Sequence, residues 1–188
     1  DVSIRYDILY NLEDLNKKDY QIAVALLGRK PRTPFIIKTK CACGNPQTLI
    51  ADPVFFEDNI WKPFPSFIWL VCPRMKALTA DLEQQGLVKY YSEKLRTDED
   101  FREMFLKGQR EIADYRLNLA QEKFEGTLPD HIIDILKNTS VAGSRDYHGV
   151  KCLHAHLAHY LAFGNNPIGK EIFEKIGDCP NECNCGCK

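Results

Sequence analysis

Apolar residues recur at helical spacing from about Asn11 to Leu27, through Leu12, Leu15, Ile22, Val24, Leu26 and Leu27. The pattern stops at Gly28, with Pro31 beyond it, which is a usual helix end. The period then shortens: Phe35–Lys40 and Gln47–Ala51 read as two short strands, with CACGNP as the turn of a hairpin. Ser66–Val71, rich in aromatic and β-branched residues, reads as a buried strand that closes at Cys72 and Pro73. Helical periodicity returns over Arg74–Gln85, where Met75, Leu78 and Leu82 share a face before Gly86, and again over Leu87–Leu95. Thr97-Asp98-Glu99-Asp100 reads as an N-cap with acids in the first turn, Asp100 standing in the fourth place of a capping box. From there a long helix runs to about Phe124, with Phe101, Phe105, Ile112, Tyr115 and Leu119 facing the core. Pro129 opens a short helix, PDHIIDILKN; Val150–Phe163 forms another; Asn-Asn-Pro turns the chain; Lys170–Ile176 ends the series.

These elements predict an α+β fold, a small and mainly antiparallel sheet between Phe35 and Val71 packed against four or more helices. Residues 1–176 are expected to form a single domain, and residues 177–188 a cysteine-rich tail. The 188 residues suit that size, and an apolar fraction of 44% is enough for a core and excludes wholesale disorder. A net charge of −1 supplies no general attraction to nucleic acid or an anionic membrane. No apolar run approaches the roughly 20 residues of a spanning helix, so no membrane partner is expected. DVSIRYDILY lacks the basic flank and apolar core of a signal peptide, so the expected location is cytoplasmic.

The cysteines change that plain picture. There are eight: Cys41, Cys43, Cys72, Cys152, and Cys179, Cys183, Cys185 and Cys187 in the tail. An even count suggests disulfides in small secreted chains, whereas a cytoplasmic setting favours metal or catalytic roles. Histidines accompany the thiols. Cys152, His154, His156 and His159 fall within eight residues of GVKCLHAHLAHYLAFGNNPIG, and imidazole with thiolate is the favoured donor pair for zinc. Two geometries are open. In a regular helix Cys152, His156 and His159 share a face; alternatively the helix starts late, after Gly149, and Cys152 and His154 meet at its entrance. A closed site wants about four ligands, and Cys41 and Cys43 on the hairpin tip and Cys72 at a strand end are the candidate suppliers. The spacing admits both Zn2+ and an iron–sulfur cluster of the 4Fe-4S type. The tail thiols either wrap an ion locally, close on the main site, or form a simple chain end. A serine nucleophile elbow and a phosphate-cradling P-loop are both absent from the sequence, and no carboxylate pair stands out as an acid/base couple.

LGRKPR, C-x-C-G-N-P, a strand ending in CPR, an LE-x-x-G helix and the final GVKCLHAHLAHYLAFGNNPIG together resemble the bacterial domain-of-unknown-function family 501. The likeness runs from about Val24 to Gly169, and K-C-L-H-x-x-x-A-H is its specific core. The resemblance implies no activity. It places Cys41, Cys72, Lys151, Cys152, His154 and His159 within the family pattern and favours the Cys152–His154 corner over the helical stripe.

The expected function is therefore a cytoplasmic metal-binding protein of unknown reaction, zinc or iron–sulfur, with Cys41, Cys72, Cys152 and His154 as the shell and Cys43 as a further ligand. In an enzyme, His159 or His156 would move the proton. The alternative is a non-catalytic binding module with a structural zinc site. Its basic residues Arg29, Lys30, Arg32 and Arg74 would meet an anionic partner, phosphate or nucleic acid. The partner expected at the metal site itself is an unidentified small molecule or protein.

Overall fold

The computed structural model describes residues 17–147 and 149–180. The start of the first expected helix, Cys183, Cys185 and Cys187 lie outside the described residues. In chain order the elements are α1 (Lys17–Leu27), β1 (Phe35–Lys40), β2 (Pro46–Ala51), β3 (Val54–Glu57), β4 (Ile60–Pro63) and β5 (Ile68–Leu70). The helices α2 (Pro73–Gln84), α3 (Leu87–Thr97), α4 (Glu99–Lys123), α5 (Asp130–Lys137), α6 (Leu153–Phe163) and α7 (Pro167–Ile176) follow. The architecture is α+β, as the periodicities predict.

β2 is the central strand of an antiparallel sheet ordered β1-β2-β5, and all six of its residues are buried. One residue of β5 shows how the register sets the site: Thr48 pairs Leu70, and the Val71 N–H donates to the Gln47 carbonyl at 2.9 Å. The chain therefore leaves β5 beside the start of β2, where Pro73 at the first helical turn launches α2 and Cys72 is its N-cap. A second sheet, β3–β4, has no counterpart in the sequence reading. It is a two-residue hairpin turned at Asp58 and Asn59, both in the left-handed region at φ +52° and +58°. Asp-Asn carries a weaker turn signal than Asn-Gly, and its flanks are only partly buried, which hides the alternation.

The N-terminus of α4 also differs by one residue. Thr97 ends α3, and Asp98 is the N-cap, its carboxylate accepting from the Phe101 N–H at 3.0 Å. The Asp98 carboxylate by itself satisfies the third amide of the helix, so no capping box with a residue further on is needed. α7 begins at Pro167 rather than Lys170, because Asn166 caps it through its Oδ1 and the Gly169 N–H at 3.1 Å.

The main core lies between the β1-β2-β5 sheet and the helices, with α6 packed on both β5 and α7. Two glycines permit this closeness. A Cβ on Gly169 would stand 2.2 Å from the His156 carbonyl oxygen and 2.5 Å from Tyr160 Cβ; one on Gly108 would stand 1.9 Å from the Asn165 carbonyl oxygen. Backbone cannot retreat as a flexible side chain can. Gly169→Ala is therefore expected to push α7 off α6 and cost about 3 kcal/mol in a denaturant titration, the upper end of overpacking penalties. A cost below about 0.5 kcal/mol would mean that the two helices slide freely.

Candidate metal centre

α6 starts late. Cys152 has extended backbone (φ −152°, ψ +117°) as the N-cap, and His154 is the second helical residue. That break in regularity lets the two side chains meet: Cys152 Sγ lies 4.0 Å from His154 Nδ1. The corner geometry is the one formed, and the helical stripe is not.

The third group comes from α2, near its C-terminal end. Glu83 Oε1 accepts from the Leu153 N–H at 2.9 Å, so it satisfies one of the orphan amides at the start of α6. The same oxygen lies 3.2 Å from His154 Nδ1. On the other side of the ring, the Nε2–H donates to the Lys76 carbonyl at 3.0 Å. Lys76 and Glu83 are thus two points on one helix that fix both edges of the imidazole. Because Nε2 carries a hydrogen, Nδ1 is the nitrogen turned towards the thiol and the carboxylate, a pattern typical of metal-binding histidines with a carbonyl behind them. One ligand atom each from Glu83, Cys152 and His154 lie within 4.8 Å of one another, and all three residues are half-buried. Among the described residues no other group of three or more such donors is this close.

The electrostatics follow from that geometry. Burial pushes the Cys152 thiol up, but the His154 ring and the Ala155 backbone amide outweigh it and hold the thiol below its ordinary value. The Cys152 contact raises His154 to about 9 against the opposing effect of burial, with the Lys76 carbonyl and the Glu83 charge adding to it. The Cys152 sulfur thus faces a protonated imidazole at a helix N-terminus, and both favour its thiolate form.

The other expected ligands lie elsewhere. Cys41 and Cys43 sit on the β1–β2 tip, and Cys72 caps α2; none belongs to the Glu83–Cys152–His154 group. The single shell expected from the sequence is therefore divided in space. His156 and His159 are also apart in chemistry: both are buried, and both Nδ1 atoms accept from Asn166 Nδ2, at 3.0 and 3.1 Å. Burial lowers them to about 3 and about 4, so neither holds a proton at neutral pH. The basic residues do not gather into one patch either. Arg74 donates to the Ile176 and Gly177 carbonyls, Arg29 lies over the Trp69 ring at 4.8 Å, and only Lys30 and Arg32 line a common cavity, with Lys62 and Glu57.

Glu83 is the residue that the sequence reading passed over. It stands in LEQQG, within the LE-x-x-G segment, but nothing in helical spacing marks one glutamate among the acids of α2 as a ligand. Among the described residues no helix is long and apolar enough to cross a membrane. A family model described as "Protein of unknown function (DUF501)" matches residues 37–174. No curated protein and no solved structure matches the chain.

Proposed function

The chain belongs to the DUF501 family of proteins of unknown function, and from that premise we propose that it is a metal-binding protein whose centre is Glu83, Cys152 and His154. The observation that carries the reading is the convergence of three different donors within 4.8 Å, with the imidazole's far edge held by the Lys76 carbonyl. Thiolate, imidazole and carboxylate together suit zinc. An iron–sulfur cluster takes mainly thiolates, and this group offers one, so zinc is the better occupant. Three protein ligands leave the fourth position of a tetrahedron open, and a zinc bound there would supply Lewis-acid chemistry.

The protein's own part is preorganisation. Glu83 joins α2 to the first amide of α6, so the carboxylate and the Cys152–His154 corner are held as one unit. The helix N-terminus favours the thiolate, and the Lys76 carbonyl keeps the ring from turning. Partial burial of all three leaves the site reachable by a small substrate or partner. His156 and His159 take no part in this reading, because burial keeps them neutral and Asn166 holds their Nδ1 atoms.

Zinc titration of the full chain under reducing conditions tests the proposal. Cys152→Ser and His154→Gln are each expected to weaken one equivalent by tenfold or more, and Glu83→Gln by about tenfold, as losses of a ligand or its support do. Since His154 is protonated below about 9, binding at pH 7 is expected to release close to one proton from it. Calorimetry in buffers of different ionisation enthalpy reads that proton. Unchanged affinity in both the Cys152→Ser and His154→Gln proteins would remove the site.

A further inference from the structure

The thiols that the first centre leaves out gather at the other end of α2. Lys40 pairs with Pro46 and Val71 binds Gln47, so Cys41 and Cys72, each one residue further on, flank the start of β2. The β1–β2 tip is held by the Cys41 N–H on the Asn45 carbonyl at 2.9 Å and the Gly44 N–H on the Cys41 carbonyl at 2.8 Å, with Gly44 at φ +78°. Cys43 rides on that tip. The segment beyond α7 comes to the same place, because the Arg74 guanidinium donates to the carbonyls of Ile176 at 2.7 Å and Gly177 at 3.1 Å. This clamp brings Cys179 Sγ to 3.4 Å from Cys72 Sγ, and Cys43 Sγ–H donates to the Pro180 carbonyl at 3.1 Å.

We propose that Cys72 and Cys179, with Cys43 and Cys41 from the hairpin tip, form a second, all-thiolate zinc centre. Three observations support it. Cys41, Cys72 and Cys179 are buried in one core cluster, and Cys43 packs against it. The 3.4 Å pair is far longer than the ~2.05 Å of an S–S bond. It is near the roughly 3.8 Å edge of a tetrahedron with Zn–S of about 2.3 Å. Cys72 is the N-cap of α2, so a ligand sulfur there stands at the positive end of the helix dipole. A bound ion would draw the Cys41 and Cys43 thiols of that cluster in to the Cys72–Cys179 pair, since among the described residues no third donor is as close to the pair as those of the first centre are to one another. Four thiolates from the tip, the sheet end and the C-terminal segment would join three parts of the chain that are far apart in sequence, as closed structural zinc sites do.

The test counts metal in the full chain, purified in reductant without oxygen, and repeats the count with cobalt(II), whose sulfur charge-transfer absorption reports thiolate ligands. The wild-type protein is expected to hold two equivalents. Cys179→Ser and Cys43→Ser should each lose one, together with the stronger thiolate absorption, while Cys152→Ser loses the other. Cys72 is fully buried and its variant risks misfolding, so the partly exposed Cys43 carries the result, with circular dichroism confirming the fold. Two equivalents retained by both Cys43→Ser and Cys179→Ser would overturn the second centre and leave the first untouched. Loss of the equivalent in a Cys183→Ser/Cys185→Ser/Cys187→Ser protein, with retention in Cys41→Ser and Cys43→Ser, would overturn the assignment of the tip ligands. An iron-dependent brown chromophore that disappears in Cys179→Ser would overturn zinc as the occupant.

Discussion

Replacing Arg116 by alanine is expected to cost about 4 kcal/mol or more, enough to threaten folding in a protein of ordinary stability. Arg116 projects from α4 into the interior with no measurable exposure. Its Nε donates to the Leu136 carbonyl at 2.9 Å, Nη1 to Pro65 at 2.8 Å and Ser140 at 3.3 Å, and Nη2 to the Thr139 carbonyl at 2.7 Å. Nη2 also reaches the Leu136 carbonyl and Thr139 Oγ1. These acceptors belong to the end of α5, the loop after it and the approach to β5, so one guanidinium ties three segments to α4. Burial pulls its pKa down to about 10, still well above neutral, so the donor set is intact under ordinary conditions. Removal leaves several buried carbonyls without partners, each worth about 1–3 kcal/mol, against which the relief of desolvating a cation is a partial offset. Arg116→Lys should recover little, since three donors at a point cannot span the fork. Urea denaturation monitored by circular dichroism measures both. A loss under about 1 kcal/mol in the alanine protein would show that water replaces the guanidinium.

The second large effect is loss of stability in mild acid. Asn166 Oδ1 accepts from the Gly169 N–H, so its Nδ2 must be the donor to both His156 and His159, whose Nδ1 atoms are therefore unprotonated. Their environment keeps them so. Burial lowers His156, with the neighbouring His159 adding to it, and burial lowers His159 despite Asn165 and Glu111, with Arg116 acting in the same direction as burial. Unfolded histidines bind protons below about 6.5, while the folded ones wait until about 3 and about 4. Between those limits the unfolded chain holds more protons, so stability falls as pH falls. For two groups the loss from pH 7 to pH 5 is about 4 kcal/mol. His154 has the opposite sign. Raised to about 9, it favours the folded state fully below its unfolded value and loses that contribution as pH rises through about 9. Stability should thus be greatest near neutrality and fall most steeply on the acid side. Asn166→Ala should separate the causes: it removes the α7 cap and both Nδ1 partners, costing about 3 kcal/mol at pH 7. A flat profile between pH 7 and pH 5 would mean that water reaches both rings.

Several of these groups are visible in the sequence, but their partners are not. The late start of α6 is one of two geometries the residues after Gly149 allow, and only the family resemblance favours it, since spacing alone places Cys152 equally well on a helical face. The β1–β2 hairpin is legible because alternation and a C-G-N-P turn lie within seventeen residues. Asn166 reads as a turn residue, and only the crossing of α6 and α7 shows that it also holds two histidines. Arg116 stands four residues after Ile112 and three before Leu119, on the core stripe of α4, but its charge conceals that placement, and the carbonyls it meets lie in a loop that no periodicity shows.

By itself, the sequence determined the local elements, the α+β class and the family, and it brought Cys152 and His154 together as candidates. Each of these depends on spacing within one helix, one hairpin or one motif. The tertiary structure alone decided that Glu83 completes the group, that Cys41, Cys43 and Cys72 stand apart from it, and that Cys179 lies against Cys72. Those relations rest on how α2 meets α6, and on an arginine clamp that joins residue 74 to residues 176 and 177. A ligand's chemistry is written in its residue type, whereas its neighbours across such distances are set by packing, and no periodicity along the chain encodes them.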